Sequence, residues 1–295
     1  MRVIVYLLFI FLPHVASGRD LFVDNVRGRD DNTGNSANLL GRGQGPLRTI
    51  TRALKIAKNG DRIILANTEQ PYRESITLQA GNNSGIPNRP FVIVGNGAIL
   101  DGRQPVPVDA WEHWEDDVFR FRPKRLTSDI LYLDDIPAKQ VVVTRHQPLP
   151  KLQPLEWSLY RGHIYFRVEE GRMPGQYDLS FTALQTGITL YEVMHVEIYD
   201  LIVQGFSLDG INAHDSVFKT SLLRLTSRGN GRAGISIGGS SQVRIESCLV
   251  GNNGQAQVRT EGLSHARIIN SDLLDDPAAP ALVRDGGTAV VQKAP

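Results

Sequence analysis

Gly187-Ile188-Thr189-Leu190, Gly210-Ile211-Asn212-Ala213 and Gly234-Ile235-Ser236-Ile237 repeat one short pattern at steps of 23 and 24 residues. Gln257-Val258-Arg259-Thr260 continues it after another 23, and Ala281-Leu282-Val283 after another 24. A second alternating pattern keeps nearly the same step. Val196, Ile198 and Val203 are followed by Phe218, Thr220 and Leu225, then by Val243, Ile245 and Val250, then by Ala266, Ile268 and Leu273. Alternation of apolar and polar residues is the period of a half-buried strand. A fixed step of this length marks a repeat architecture, and strands with no helix-length periodicity mark a coil of strands. One turn cannot bury its own inward side chains. Stacked turns can, pairing each strand in parallel about 4.8 Å from the next. The expected fold is all-β, a right-handed single-stranded parallel β-helix. The competing reading is a β-sandwich with evenly spaced strands, which gives no reason for so constant a step.

The register predicts an interior of Ile188, Leu190, Ile211, Ala213, Ile235, Ile237 and Val258. Asp200, Leu222, Ser247 and Asn270 are expected at a bend between two strands, where short polar side chains bond the backbone. Residues between the inward ones point outward in columns. On the Gly-Ile strand these are Thr189, Tyr191, Asn212, His214, Ser236, Arg259 and Glu261.

Residues 19–102 read as the start of the same coil. Pro46–Lys58 is an expected amphipathic helix with Leu47, Ile50, Leu54 and Ala57 on one face, ended by Asn59-Gly60. Such a helix suits the open end of a coil, which otherwise exposes strand edges and core. Strand-like runs follow at Arg62–Ala66, Ser75–Gln79, Phe91–Val94 and Ala98–Leu100. The order Gly28-Arg29-Asp30-Asp31-Asn32-Thr33-Gly34, Pro46-Leu47-Arg48-Thr49-Ile50 with Ala53-Leu54, Gly60-Asp61-Arg62-Ile63, Tyr72-Arg73-Glu74, Pro90-Phe91-Val92-Ile93 and Asp101-Gly102 resembles the N-terminal signature of secreted bacterial pectin-lyase-like β-helix proteins. The resemblance implies the fold and a polysaccharide ligand across the Gly-Ile face. It does not imply one activity, because that superfamily holds lyases, hydrolases and proteins of no known activity. The motif set of polygalacturonase-like enzymes (Asn-x-Asp, Asp-Asp, Gly-His-Gly, Arg-x-Lys) is absent, and the alginate-lyase Lys and Arg pattern is not recognisable. No catalytic residue carries over.

Residues 103–182 break the step. They hold all three tryptophans, Trp111, Trp114 and Trp157, and strand-like runs at Val118–Phe121, Ile130–Leu133, Trp157–Leu159 and Ile164–Val168. Tyr160-Arg161-Gly162-His163 reads as a hairpin turn. This is an expected β-rich insert before the C-terminal turns of residues 183–295. Its tryptophans suit either its own core or stacking on sugar rings.

Two enzymatic chemistries and a non-catalytic binding role compete. Between Ser216 and Ile245 there is no acid, but there are Lys219, Arg224, Arg228, Arg232 and Arg244. Guanidinium groups grip carboxylates in bidentate fashion, so an acidic sugar is the expected ligand, with Arg228, Arg232, Ser236 and Glu261 as substrate-binding candidates. The competing reading is a solvated face balanced by acids elsewhere. β-Elimination of a uronate polysaccharide needs a neutralised carboxylate, a base for the C5 proton and a donor to the leaving oxygen. Arg259 and Asn212 are candidates for the first and His214 for the second, with Tyr191 or Arg232 to assist. Hydrolysis needs two carboxyl groups about 5–9.5 Å apart, and Asp209 and Glu261 lie two turns apart, about 10 Å by strand spacing. Asp24, Asp30, Asp31 and Asn32 form an oxygen-rich loop that suits calcium or plain turns. No other cofactor is implied.

Residues 1–18 read as a signal peptide: Arg2, the apolar run Val3–Leu12, then Ala16-Ser17-Gly18 at a cleavage site. The alternative, an uncleaved anchor, needs about 20 apolar residues. The expected location is therefore exported, with no membrane attachment after cleavage. Of 32 basic and 31 acidic residues, only Arg2 lies in that segment, which leaves the mature chain with formal charge zero. A neutral exported protein is a poor partner for nucleic acid. The single cysteine, Cys248, excludes an intramolecular disulfide and reads as a packed core thiol.

Overall fold

The computed structural model describes residues 18–123, 130–144, 147–275 and 279–293. The expected signal peptide lies, apart from Gly18, outside the described residues.

The repeat folds as a parallel β-helix. Each turn lays down up to three short strands, and like strands stack into sheets that run the length of the coil. The first sheet holds Asp20–Val23, Arg62–Leu65, the start of Phe91–Asp101, the start of Val196–Gln204, Thr220–Leu223, Gln242–Glu246, His265–Ile269 and Thr288–Gln292. The second holds Ile76–Gln79, Ile188–Tyr191, Ile211–His214, Ala233–Ile237, Ala256–Glu261 and Leu282–Asp285. The third joins the ends of Phe91–Asp101 and Val196–Gln204 to Thr226–Arg228, Leu249–Gly251 and Asp272–Leu273. All of these pairings are parallel.

In the second sheet Ile188, Ile211, Ile235, Val258 and Leu282 are vertical neighbours. All seven residues expected inside are 0% exposed. The glycine that starts each strand has a steric cause. A Cβ on Gly210 would sit 2.4 Å from Ser227 Oγ, and one on Gly234 would sit 2.3 Å from Val250 Cγ1.

In one turn the first sheet departs from expectation. Ile198 pairs with Leu222, and Val203 with Ser227. The inward series is therefore Val196, Thr220, Val243 and Ala266, not one that passes through Phe218. The bend residue is Arg224, not Leu222. Asp200, Arg224, Ser247 and Asn270 all hold left-handed backbone, with φ of 56, 51, 53 and 46°. A slip of two residues keeps every side chain on its own face, so alternation alone could not detect it.

The N-terminal helix runs over Ile50–Ile56, shorter than expected. Pro46 and Leu47 are instead extended, and Leu47 exchanges backbone bonds with Phe22 and Asp24 on the outer edge of the first strand. The helix lies against the end strand of the second sheet and buries Ile50, Ala53 and Leu54 in the coil core. Residues 103–182 build two four-stranded sheets beside the coil, antiparallel in every strand pair. Trp157, Phe166, Phe119, Phe121 and Leu131 form a core there that is separate from the coil's. Tyr160 and His163 pair across a two-residue turn in which Arg161 and Gly162 have positive φ. This is the geometry of a tight hairpin.

Candidate functional site

Parallel register carries the outward residues of the second sheet into two ladders. One runs Thr77, Thr189, Asn212, Ser236 and Arg259; the other sets Gln79, Tyr191 and His214 side by side. The rings of Tyr191 and His214 stand 5.2 Å apart, and His214 Nδ1 lies 3.2 Å from Asp215 Oδ1. The carboxylates of Glu192 and Asp215 raise the pKa of the Tyr191 hydroxyl. Asp215 closes the strand in a left-handed bend and was not singled out from the sequence.

The remaining candidates are tied into a charge network. Arg232 donates two bonds to Asp209, at 2.9 and 2.5 Å, and its third nitrogen lies 3.9 Å from Glu261. Arg259 donates to Glu261 at 2.5 Å and also to Asp285. Asn212 Nδ2 donates to Asp209 at 3.2 Å. Asp209 is wholly buried, and its hydrogen bond raises the pKa of Arg232. Ser236 is 1% exposed and offers a ligand no surface. Extending the 24-residue step from Glu261 would have found Asp285.

The face is therefore not the basic column expected. Three carboxylates meet two guanidiniums there. The acid-free stretch is balanced from adjoining segments: Arg224 by Asp200 at 2.7 and 2.9 Å, and Arg244 by Glu246 at 2.8 Å. Among the described residues Arg228 has no carboxylate partner. Its Nε donates to Gln204 at 2.9 Å, and Gln204 is held in turn by Asp101. Arg228 lines a different place, a cleft of about 430 Å³ between coil and insert that also involves Arg103, Tyr132, Asp135 and Asn252.

The N-terminal oxygen cluster does not converge. Asp24 accepts from the backbone of Val26 and Arg27 and from the Arg27 side chain. Burial raises its pKa, but these bonds outweigh that and lower it overall. Asp30 caps Arg48 and Thr49, Asp31 pairs with Arg29, and Asn32 donates to Pro46 O. Among the described residues no group of three or more His, Cys, Asp or Glu side chains is arranged to hold a metal. Cys248 is buried, and burial pushes its thiol up to about 11. That removes it as a nucleophile.

No protein-family model and no curated protein sequence matches the chain. Solved structures do. A glycoside hydrolase is 11% identical with a TM-score of 0.59, over 86% of this chain and 73% of that one. The complex of XylC with xylose is 13% identical with a TM-score of 0.47, over 93% and 70%. The pectate lyase Pel9A is 13% identical with a TM-score of 0.44, over 90% and 57%. At these identities the likeness concerns architecture alone, and the chain is a parallel β-helix.

Proposed function

We propose that this chain is an exported protein that holds a polysaccharide along the outward face of its second sheet. The observation that carries the reading is the ring pair of half-buried Tyr191 and exposed His214, beside the partly exposed Thr189 and Asn212. Stacked turns repeat the same surface along the coil axis, which suits a repeating ligand. The charge balance refines the ligand. Arg232 and Arg259 are already matched by carboxylates, and a polyuronate would have to displace them. Arg228 has no carboxylate partner among the described residues, but it lies in the cleft between coil and insert, away from this face. The best ligand is then a neutral polysaccharide.

Binding of the mature protein to xylan, glucuronoxylan, polygalacturonate and alginate tests this. Tyr191→Ala should weaken binding at least tenfold, and xylan should bind better than polygalacturonate or alginate. Equal binding by Tyr191→Ala and wild type overturns the reading. Export is tested by N-terminal sequencing of protein recovered outside the cytoplasm, which should start near residue 19.

The same ring pair favours β-elimination as a second reading. His214 takes the C5 proton, electrons move to form the C4–C5 double bond, and Tyr191 protonates the departing oxygen. Arg259 and Asn212 would face the uronate, which requires Arg259 to exchange Glu261 for the substrate. Unsaturated product from wild type, lost in His214→Ala, supports this reading. Its absence with all four polysaccharides leaves binding as the function.

A further inference from the structure

The insert carries an aromatic cleft that the coil face does not explain. Its outer sheet pairs Glu112–Glu115, Val118–Phe121, His163–Arg167 and Trp157–Tyr160. Two of the three tryptophans contribute to the insert core, Trp157 fully buried and Trp111 packed against it. Trp114 does not; it is 45% exposed. Its ring is nevertheless held in place. Arg120 lies 4.4 Å from the ring centre, fixed by a 3.1 Å bond to Glu112, and Tyr165 meets the indole at 5.5 Å and 85°. Tyr160 stands 6.0 Å from Tyr165, with Arg161 over its ring.

These rings line a cleft of about 720 Å³, closed on its other side by residues 148–152. That volume is in the range of small-molecule sites. A second hollow of about 600 Å³ shares Pro148, Tyr160 and Arg161 with it, so the two form one elongated groove. The first cleft is lined by Arg120, Lys151, Arg161 and Arg167 against Glu115 and Asp116, and two of these cations are met by carboxylates from outside the lining. Arg120 is committed to Glu112, and Arg167 lies 3.7 Å from Asp117. Lys151 and Arg161 remain, set against Glu115 and Asp116. Fixed aromatic faces ringed by donors and acceptors, with the surplus cations already paired, match a ligand with apolar ring faces and many hydroxyls.

We propose that this groove binds an uncharged oligosaccharide, with Trp114 and Tyr160 as the stacking platforms. The proposal extends the sugar reading to a second place on the molecule. The test is titration of the full chain with xylo- and cello-oligosaccharides, followed by calorimetry and by acrylamide quenching of tryptophan fluorescence. Bound sugar should shield Trp114 from quencher. Trp114→Ala should weaken the affinity at least tenfold, Trp114→Phe should retain most of it, and melting curves of both variants should match wild type. Shielding of Trp114 reports the groove alone, so it should persist in Tyr191→Ala while the affinity of the coil face falls. Undiminished affinity in a folded Trp114→Ala, or no oligosaccharide that shields the indole, overturns the proposal. Loss of binding in Tyr191→Ala with none in Trp114→Ala places the sugar on the coil alone. Loss of oligosaccharide binding in Trp114→Ala, with xylan binding undiminished in Tyr191→Ala, retains the groove and refutes the coil face.

Discussion

Asn253 shows how single side chains keep the turns in register. It is 3% exposed and accepts from the backbone and side chain of Asn230 at 3.0 and 2.9 Å, while its amide donates to Gln257 at 2.8 Å. Asn230 repeats the arrangement one turn earlier, accepting from the Phe206 N–H at 3.1 Å. Removing one member leaves its buried neighbours unsatisfied. Asn253→Ala should therefore cost about 1–3 kcal/mol by chemical denaturation, and a change below about 0.5 kcal/mol would show that the ladder adds little. At this scale the sequence was only partly legible. The second-sheet ladder could be read because glycine, where a Cβ does not fit, marks the start of three of its repeats at Gly187, Gly210 and Gly234. The slip from Arg224 to Leu222 could not be seen, because leucine offers a better apolar pattern than the bend tolerates. The Arg232–Asp209 pair was also hidden, since its members come from different turns and meet only once register is set.

At the scale of elements, the acids of the N-terminal signature serve the helix. Glu74 accepts from the backbone of Ile50 and Thr51 and from the Thr51 hydroxyl, at 2.9, 2.9 and 2.6 Å. Asp30 holds Thr49, whose hydroxyl caps Arg52 at 3.1 Å. The first turn of the helix has no acid of its own, so carboxylates from elsewhere satisfy its free N–H groups. Glu74→Ala should lower stability by about 1–2 kcal/mol, with Glu74→Gln intermediate, read from denaturation midpoints. Unchanged midpoints in Glu74→Ala would contradict the capping role. The existence of the helix was legible from its apolar face. Its start was not, because Pro46 and Leu47 join the edge of the first strand rather than the helix.

At the scale of the molecule, the coil is a uniform rod whose chemistry depends on what lies along its sides. Interior positions were legible because burial repeats at every turn. The site was less so. Charge read along the chain suggested a basic face, whereas stacking brings Asp200, Asp209 and Glu261 beside Arg224 and Arg232, and Glu246 pairs with Arg244 along its own strand. The insert could be located by its broken step, but its split between buried Trp157 and exposed Trp114 depends on strand facing. The central claim is that sugar lies on the second-sheet face. The most direct test is a crystal structure of the chain soaked with oligosaccharides of the best-bound polysaccharide. The account predicts sugar density against Tyr191 and His214. Saturated crystals with that face free of sugar and of lattice neighbours would contradict it.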